Sequence, residues 1–310
     1  MNITQTSGHW PRVTIVTPSY NQGQYIEETI KSVITQDYPN LEYIIIDGGS
    51  TDNSVEIIQK YDKWIKFWIS EPDKGQADAI NKGFQKSSGD YIGWLNSDDI
   101  LYPAAIQRVI EEFLAYPDVD LIYGDNEQGL NLGPESRPLF GSQIEFSQML
   151  RTLQVPIPQL GSLWKRTVID QIGNLDIRWQ VILDREFFTR AAQRCRLRYL
   201  PGVLGFFRNH EHSKSILLSR IWLSELPLMY SEFFNRVDLS KDLKNLRGET
   251  MGAMFLTCAS IAYQCGEIRL AAIDITRAIT YDPLIIFRQN TRKKLFALFR
   301  SLLPIIKIQR

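Results

Sequence analysis

The segment "EYIIIDGGSTD", residues 42–52, joins an uninterrupted apolar run to an acidic, glycine-rich ending. Such a run is typical of a strand buried on both faces of a parallel sheet. A similar run at residues 13–17, in "RVTIVTPSYN", is interrupted by Pro18. We therefore expect two buried strands that each end in a polar loop.

Helical periodicity separates these strands. Ile26, Ile30 and Val33 recur at helical spacing between them, and the alternation continues through "KFWIS", "GQADAINKGFQKS", "DYIGWL" and "VDLIYGD". Alternating strands and helices predict an α/β fold with a mostly parallel, doubly wound sheet, whose ligands bind beyond the carboxyl ends of the strands. The loops at residues 18–21, 71–75 and 96–99 and the loop that begins at Asp47 should therefore meet at one cleft.

Composition narrows the class of protein. Among 310 residues, Lys+Arg and Asp+Glu are both 35, so no basic field or motif favours nucleic acid as a partner. The three cysteines suit reduced thiols. The N-terminus does not resemble a signal peptide, and no uncharged apolar run approaches the ~20 residues that span a bilayer. We expect a cytoplasmic protein whose membrane contact, if any, is peripheral, at the inner face of the membrane.

The second half of the chain is less regular. Residues 126–158 lose the alternation of strands and helices. They should form an irregular subdomain or a loop that faces an acceptor substrate. We expect one domain at residues 11–215 and a helical extension at residues 216–310. Within the extension, residues 253–283 resemble one tetratricopeptide hairpin, either a packing element or a docking site. The basic amphipathic C-terminus suits either an anionic membrane surface or a solvated helix.

The segment "GWLNSDDI", residues 93–100, places two carboxylates at the end of an apolar run. Mg²⁺ and Mn²⁺ favour oxygen ligands and are often shared with substrate phosphates, which makes Asp98 a candidate ligand. Alternatively, Asp98 or Asp99 caps the helix that follows Pro103.

The motifs "PSYN", "DGGSTDNS", "EPDKGQADAINKGFQKSSGDYIGWLNSDD", "LDREFFTR" and "FRNHEHSKS" together resemble glycosyltransferase family two, which has the GT-A fold. The resemblance spans roughly residues 11–215. It implies a nucleoside-diphosphate sugar donor, with a UDP-sugar favoured, a divalent metal, Mg²⁺ or Mn²⁺, and a hydroxyl acceptor in polysaccharide or lipid-linked glycan synthesis.

For the nucleotide, the resemblance assigns residues of the first two loops. Tyr20 would lie against the base, Pro18 would offer its carbonyl, and Asn21 completes that loop. Asp47 would accept from the base edge, and Gly48 stands where many members carry a second acid. An aromatic face and a carboxylate can read a uracil-like ring. Tyr20 could instead be a packed loop aromatic.

The loop at residues 71–75 and the start of the next helix would border the diphosphate. Asp73, Lys74, Asp78 and Asn81 are the polar candidates, and Lys82 suits phosphate equally by chemistry alone. Alternatively, Asp78 and Lys82 form a surface ion pair at i,i+4 spacing.

The resemblance also divides the acidic motif. Asn96 replaces the usual first aspartate and would meet the ribose, while Asp98 would coordinate the metal. His210 matches a late histidine that completes the metal shell in many GT-A enzymes, and a structural loop histidine is the alternative.

Asp184 aligns with the family's general base, and Leu183 replaces the usual preceding glutamate. On a helix, Asp184 would share a face with Phe188, while Glu186 would pair with Arg190. A helix N-cap is the alternative for Asp184. A single positioned base implies inversion at the anomeric carbon.

Two other functions stay open from the sequence. A sugar nucleotidyltransferase would want a basic, glycine-rich first loop, which "TPSYNQGQY" lacks. A non-catalytic scaffold with a vestigial sugar site would explain the changed residues Asn96 and Leu183.

Overall fold

A computed structural model describes residues 10–211, 213–214 and 219–287. The chain divides into two compact units. The first comprises Met1–Gln143 and Pro156–His210, and the second comprises Ile144–Val155 and Glu211–Arg310. The division thus falls near the expected boundary at residue 215, but a short segment from the stretch expected to be irregular joins the second unit.

The secondary structure alternates as the sequence predicts over the first hundred residues. In chain order the elements are β1 (Val13–Ser19), α1 (Ile26–Ile34), β2 (Leu41–Asp47), α2 (Ser54–Lys60), β3 (Phe67–Ser70), α3 (Gln76–Lys86), β4 (Tyr91–Trp94), β5 (Ile100–Leu101), α4 (Ala105–Ala115), β6 (Leu121–Gly129), β7 (Arg137–Leu139), α5 (Phe146–Thr152), β8 (Leu163–Lys165), α6 (Thr167–Ile172), α7 (Leu183–Arg194) and β9 (Leu197–Arg208). A 3₁₀ turn, Asp62–Trp64, follows α2. All but α5 belong to the first unit.

The strands of the described residues form one sheet in the order β3-β2-β1-β4-β8-β6-β9-β5, with β7 beside β6. The pairs from β3 to β4 are all parallel, as is β6 with β9. The α/β prediction is confirmed. Antiparallel pairing enters through β5, β7 and β8, which have two or three residues each and are too short to show a pattern.

Two details of the sequence prediction are wrong. Pro18 does not interrupt β1, because pairing with β4 ends at the Val16–Trp94 partners and the proline nitrogen then faces a side without a neighbouring strand. Residues 126–129 are not irregular, because β6 continues through them to pair with β7 and β9.

Alternate residues of the parallel strands enter two different cores. Val13 and Ile15 of β1 pack into a cluster with α1 and α4. On the opposite face, Trp94 at the end of β4 stacks against Phe188 of α7, with ring centroids 5.9 Å apart, and meets Trp164 of β8 at 5.4 Å. Burial on both faces explains the unbroken apolar runs.

In the second unit, α5 is joined by α8 (Trp222–Asn235), α9 (Lys241–Asn245), α10 (Arg247–Gln264) and α11 (Ile268–Tyr281). The alanines that the sequence spaces along α10 and α11 are fully buried: Ala259, Ala262, Ala271 and Ala278. Small residues at such positions let two helices approach closely. The tetratricopeptide resemblance itself stays a prediction.

Two expectations concern the membrane. Within the described part of the chain, no helix is long and apolar enough to cross a bilayer. The expected basic amphipathic segment, residues 288–310, lies outside the described residues.

The cysteines are free, with Cys258 buried and Cys195 and Cys265 half-buried. Burial raises the pKa of Cys195 to about 11 and that of Cys258 to about 12. Both are therefore thiols at neutral pH, but only Cys258 is buried as expected of a core cysteine.

Candidate active site

Asp98 and His210 meet because β5 runs antiparallel to β9. Ile100 pairs with Phe206, and continuing this register past the strand brings Asp98 beside the end of β9. The Oδ2 atom of Asp98 lies 3.1 Å from Nε2 of His210. The His210 side chain is buried, whereas that of Asp98 is 20% exposed. The predicted pair of metal ligands is thus together at the carboxyl edge of the sheet.

Asp99 is buried completely and has a different role. Its Oδ1 accepts from the backbone N–H of Arg208 at 3.0 Å, and its Oδ2 accepts from Nδ2 of Asn96 at 3.1 Å. Burial raises the pKa of Asp99 well above its usual range, and the nearby Asp98 carboxylate adds to this effect. The alternative that Asp99 caps a helix is wrong, because α4 is preceded by Ala104 and has no side-chain cap.

Arg208 supports this corner of the site and was missed by the sequence analysis. Its Nε donates to the backbone carbonyl of Asp98 at 3.0 Å, and its Nη2 donates to Glu28 at 2.5 Å. The guanidinium also lies 4.9 Å from the ring centroid of Tyr25, which in turn contacts the ring of His210. Its position two residues before His210 was the available signal.

Both the oxygen and the nitrogen of the Asn96 side-chain amide form hydrogen bonds. Its Oδ1 accepts from Nε2 of Gln76 at 2.8 Å, while its Nδ2 donates to Asp99 and, at 3.3 Å, to Oε1 of Gln159. An aspartate could not make the two donations. The predicted ribose contact of Asn96 is compatible with its half-buried position and stays a prediction.

Asp47 is fully buried at the end of β2, and its carboxylate accepts hydrogen bonds from the loop that follows and from the end of β3. Oδ2 accepts from the backbone of Gly49 and Ser50, at 3.2 and 2.8 Å, and from Oγ of Ser70 at 2.7 Å. Oδ1 accepts from Oγ of Ser50 at 2.5 Å. The Asp47 carboxylate therefore organises the loop, and the base-edge role expected of it stays a prediction.

The loop after β1 is hydrogen-bonded to the loop after β2. The backbone N–H of Asn21 donates to Ser50, and Oδ1 of Asn21 accepts from the backbone of Thr51, both at 2.8 Å. The ring of Tyr20 is 60% exposed, as a stacking surface requires, which disfavours the packed alternative. Pro18 is buried within β1.

The loop after β3 is fixed by hydrogen bonds to its own backbone. Oδ2 of Asp78 accepts from the N–H of Lys74 at 3.1 Å. Lys82 pairs with Glu71 at 2.8 Å and lies farther from Asp78, at 3.8 Å. The Lys74 side chain is exposed and forms no ion pair with the described residues, so it is the better candidate for a phosphate.

Asn81 is engaged elsewhere. Its amide exchanges hydrogen bonds with the backbone of Leu175, at 2.8 and 3.0 Å. It thus joins α3 to the segment that precedes α7 and is not offered to a diphosphate.

Asp184 is the second residue of α7. Its Oδ1 accepts from the N–H of Arg185 at 2.7 Å, and the residue before the helix, Ile182, makes no side-chain cap. The expected pair is confirmed, because Arg190 contacts both oxygens of Glu186 at 2.6 and 2.8 Å.

The position of α7 is set by aromatic packing. Phe187 and Phe188 both contact Trp94, two residues before Asn96, with ring centroids 5.7 and 5.9 Å away. The helix that carries Asp184 is therefore anchored on the strand that leads to Asp98.

Asp98 and His210 would supply part of the ligand set of a divalent cation. Among residues 10–211, 213–214 and 219–287, no group of three or more His, Cys, Asp or Glu could hold a metal. Asp98 and His210 offer one oxygen and one nitrogen, a combination that suits Mn²⁺. The remaining ligands would have to come from solvent or a bound phosphate, and the partial exposure of Asp98 leaves room for them.

The sheet and its acidic corner, formed by Asp98, Asp99 and His210, are consistent with the family that the motifs resemble. Residues 14–164 match the family described as Glycosyl transferase family 2. An uncharacterized glycosyltransferase of Mycobacterium tuberculosis is 32% identical over 194 residues, which cover 60% of this chain and 70% of that protein. The chain belongs to glycosyltransferase family 2.

Two solved structures share the fold of this chain, and a larger protein is similar over part of its length. The crystal structure of S. aureus TarS in complex with UDP-GlcNAc has a TM-score of 0.68 at 16% identity, covering 96% of this chain and 92% of that chain. The mannosyltransferase PcManGT from Pyrobaculum calidifontis, in complex with GDP-Man and Mn²⁺, has a TM-score of 0.58 at 18% identity, covering 96% and 88%. Both show the same GT-A fold. Chondroitin synthase of Pasteurella multocida is 37% identical over 127 residues, which cover 40% of this chain and 13% of that protein.

Proposed function

We propose that the protein transfers a sugar from a nucleoside-diphosphate sugar to a hydroxyl acceptor with inversion at the anomeric carbon. The observation that carries the proposal is the contact between Asp98 and His210 at the carboxyl edge of the parallel strands. Ligands of such sheets bind at this edge. The complexes of TarS with UDP-GlcNAc and of PcManGT with GDP-Man support a donor of this chemical class.

Asp184 is the proposed general base. It takes the proton from the acceptor hydroxyl while that oxygen forms its bond to the anomeric carbon, and the bond between the anomeric carbon and the diphosphate oxygen breaks. One displacement inverts the configuration. Glu186 does not compete for this role, because both of its oxygens are held by Arg190.

The leaving diphosphate needs positive charge around it. Asp98 and His210 would hold a divalent cation, Mg²⁺ or Mn²⁺, which supplies charge neutralisation of the departing nucleoside diphosphate. Lys74 offers an ammonium from the neighbouring loop. The Mn²⁺ in the PcManGT complex supports a metal in this fold.

The acceptor is proposed to be a growing polysaccharide or a lipid-linked glycan made at the cytoplasmic face of a membrane. The similarity to chondroitin synthase supports a polysaccharide product.

A panel of UDP- and GDP-sugars tests the function. Purified full-length protein is assayed for binding and turnover with Mn²⁺, with Mg²⁺ and with a chelator. We expect binding of at least one nucleotide sugar at millimolar metal, and loss of turnover with the chelator. Wild-type protein that binds no nucleotide at millimolar metal would overturn the proposal.

The base is tested with Asp184→Asn. Turnover should fall about 10²- to 10⁴-fold while nucleotide affinity is unchanged. Asp118→Asn is the matched control, because that exposed carboxylate lies at the far end of β6 and, among the described residues, pairs with Arg196 alone. Full activity of the Asp184 variant would refute its role as the base. A wild type that binds nucleotide but lacks turnover would instead favour the scaffold alternative. An anomeric NMR spectrum of the first product tests inversion.

A further inference from the structure

Gln159 is held over the end of β4 by two hydrogen bonds of its side-chain amide. Its Nε2 donates to the backbone carbonyl of Trp94 at 2.5 Å, and its Oε1 accepts from Nδ2 of Asn96 at 3.3 Å. Because a backbone carbonyl only accepts, the nitrogen of Gln159 has to face Trp94 and the oxygen has to face Asn96. The two partners therefore fix the orientation of the amide.

The backbone around Gln159 is anchored on both sides. Oγ of Ser162 donates to the carbonyl of Pro158 at 2.6 Å, and Nδ2 of Asn126 donates to the carbonyl of Leu160 at 3.1 Å. The side chains of Ser162 and Asn126 are buried. A side chain that is already held in place loses little conformational entropy when it binds a ligand. Gln159 is thus preorganised.

The Gln159 amide retains one donor and one acceptor. A primary amide has two N–H groups and two lone pairs on its oxygen, and the bonds to Trp94 and Asn96 use one of each. The side chain makes no other hydrogen bond with residues 10–211, 213–214 or 219–287, and it is half-buried, so a ligand can reach it. A hydroxyl group can satisfy either the N–H or the lone pair, whereas a carboxylate could use only the N–H.

Gln159 lies between the groups that the proposed reaction needs at the two ends of the transferred sugar. It contacts Asn96, two residues before the metal ligand proposed to face the diphosphate, Asp98. It also contacts Trp94, whose ring stacks on α7, the helix that carries the proposed base Asp184. During the displacement the anomeric carbon has the diphosphate on one side and the acceptor oxygen on the other, so the sugar passes between these groups.

Resting on the proposed function, we infer that Gln159 contacts the transferred sugar of the donor and determines specificity for a neutral sugar by hydrogen bonding to its hydroxyl groups. The remaining N–H donates to a hydroxyl oxygen, and the remaining lone pair accepts from a hydroxyl hydrogen. A site built to hydrogen-bond a substrate hydroxyl rejects the analogue that lacks it, because the polar groups of the site are then left unpaired.

Binding of deoxy sugars to the wild type tests the contact by calorimetry in the presence of Mn²⁺. The probes are UDP-glucose and its analogues that lack the hydroxyl at C2, C3, C4 or C6, with the same series for any other sugar that the donor panel selects. Loss of a contacted hydroxyl should weaken binding about 10-fold. Equal affinity for the parent sugar and every analogue would overturn the inference, and this arm needs no variant.

Gln159→Leu completes a double-mutant cycle with the sugar. The variant should bind the parent sugar about 10-fold more weakly than the wild type does, and should no longer distinguish it from the analogue that lacks the contacted hydroxyl. Its affinity for the nucleoside diphosphate alone should stay within about threefold of the wild type. Gln107→Leu is the matched control, because that half-buried glutamine donates to Glu111 within α4.

The outcomes distinguish this inference from the proposed function. Wild-type protein that binds no nucleotide overturns both. An equal loss of affinity for the nucleotide sugar and for the nucleoside diphosphate in Gln159→Leu would mean that Gln159 acts only through Asn96, and would overturn the sugar contact. A Gln159→Leu variant that still distinguishes the deoxy analogue assigns that hydroxyl to another residue and overturns the role of Gln159 alone.

Discussion

The loops after β2 and β4 share a plan but differ in what they present. Each contains an aspartate with no exposed surface, Asp47 or Asp99, whose two oxygens accept hydrogen bonds from nearby backbone and side chains. After β4 the neighbouring Asp98 is partly exposed and contacts a histidine, whereas after β2 the neighbour is Gly48. In both loops the buried acid organises the loop, and the residue beside it determines the chemistry.

Asp98→Asn should have the largest effect and should affect turnover alone. Losing the charge that would hold a divalent cation should lower metal-stimulated turnover by about 10²-fold or more. The free energy of unfolding should change by less than about 0.5 kcal/mol, because the backbone carbonyl that Arg208 contacts is retained. Steady-state kinetics against metal concentration and denaturant unfolding measure the two effects, with Asp118→Asn as control. An unstable but active variant would reverse the assignment of the two acids.

Asp99→Ala should mainly destabilise the fold. It leaves two donors without an acceptor, the backbone N–H of Arg208 and the amide of Asn96, at a cost of about 2 to 4 kcal/mol. Asp99→Asn retains one acceptor and should cost less. Denaturant midpoints measured on both variants check the order. If Asp99→Ala were as stable as the wild type, the buried acid would not be the organiser of this loop.

The sequence predicted the sheet and the acidic corner but could not separate these roles. The unbroken apolar runs are local signals, and they predicted strands β1 to β4 correctly. The order of the motifs predicted that Asp98 and His210 lie together at one edge of the sheet, as the structure shows. Whether Asp47 is buried depends on donors from Ser50 and Ser70, which a strand pattern does not reveal.

Contacts between segments that are distant in the sequence could not be predicted from it either. Arg208 reaches the loop after β4 only because two-residue β5 pairs with β9, and such a short strand has no periodicity. Likewise, the Asp73 carboxylate lies over Gly48 only because the loops after β2 and β3 approach each other in the folded chain.

Asp47→Ala should have a smaller effect on stability than Asp99→Ala. The donors that it leaves behind, chiefly on Gly49 and Ser50, are half-exposed and can turn to water, so we expect a loss of about 1 to 2 kcal/mol. Hydrogen exchange at the amides of Gly49 and Ser50 should accelerate, while amides of β6 stay protected. Unchanged exchange in the loop would show that the glycines, and not Asp47, maintain its conformation.

Asn96→Asp is the smallest and most informative change, because it restores the acid that the family usually has at this position. The aspartate cannot donate to Asp99 or Gln159, and it adds a third carboxylate beside Asp98. We expect a loss of about 1 kcal/mol in the free energy of unfolding, measured by denaturation against Asp118→Asn. A more stable variant would mean that the amide does not support Asp99. The expected loss would instead explain the asparagine as the donor required by a buried acid, so that its presence is no sign of a vestigial site.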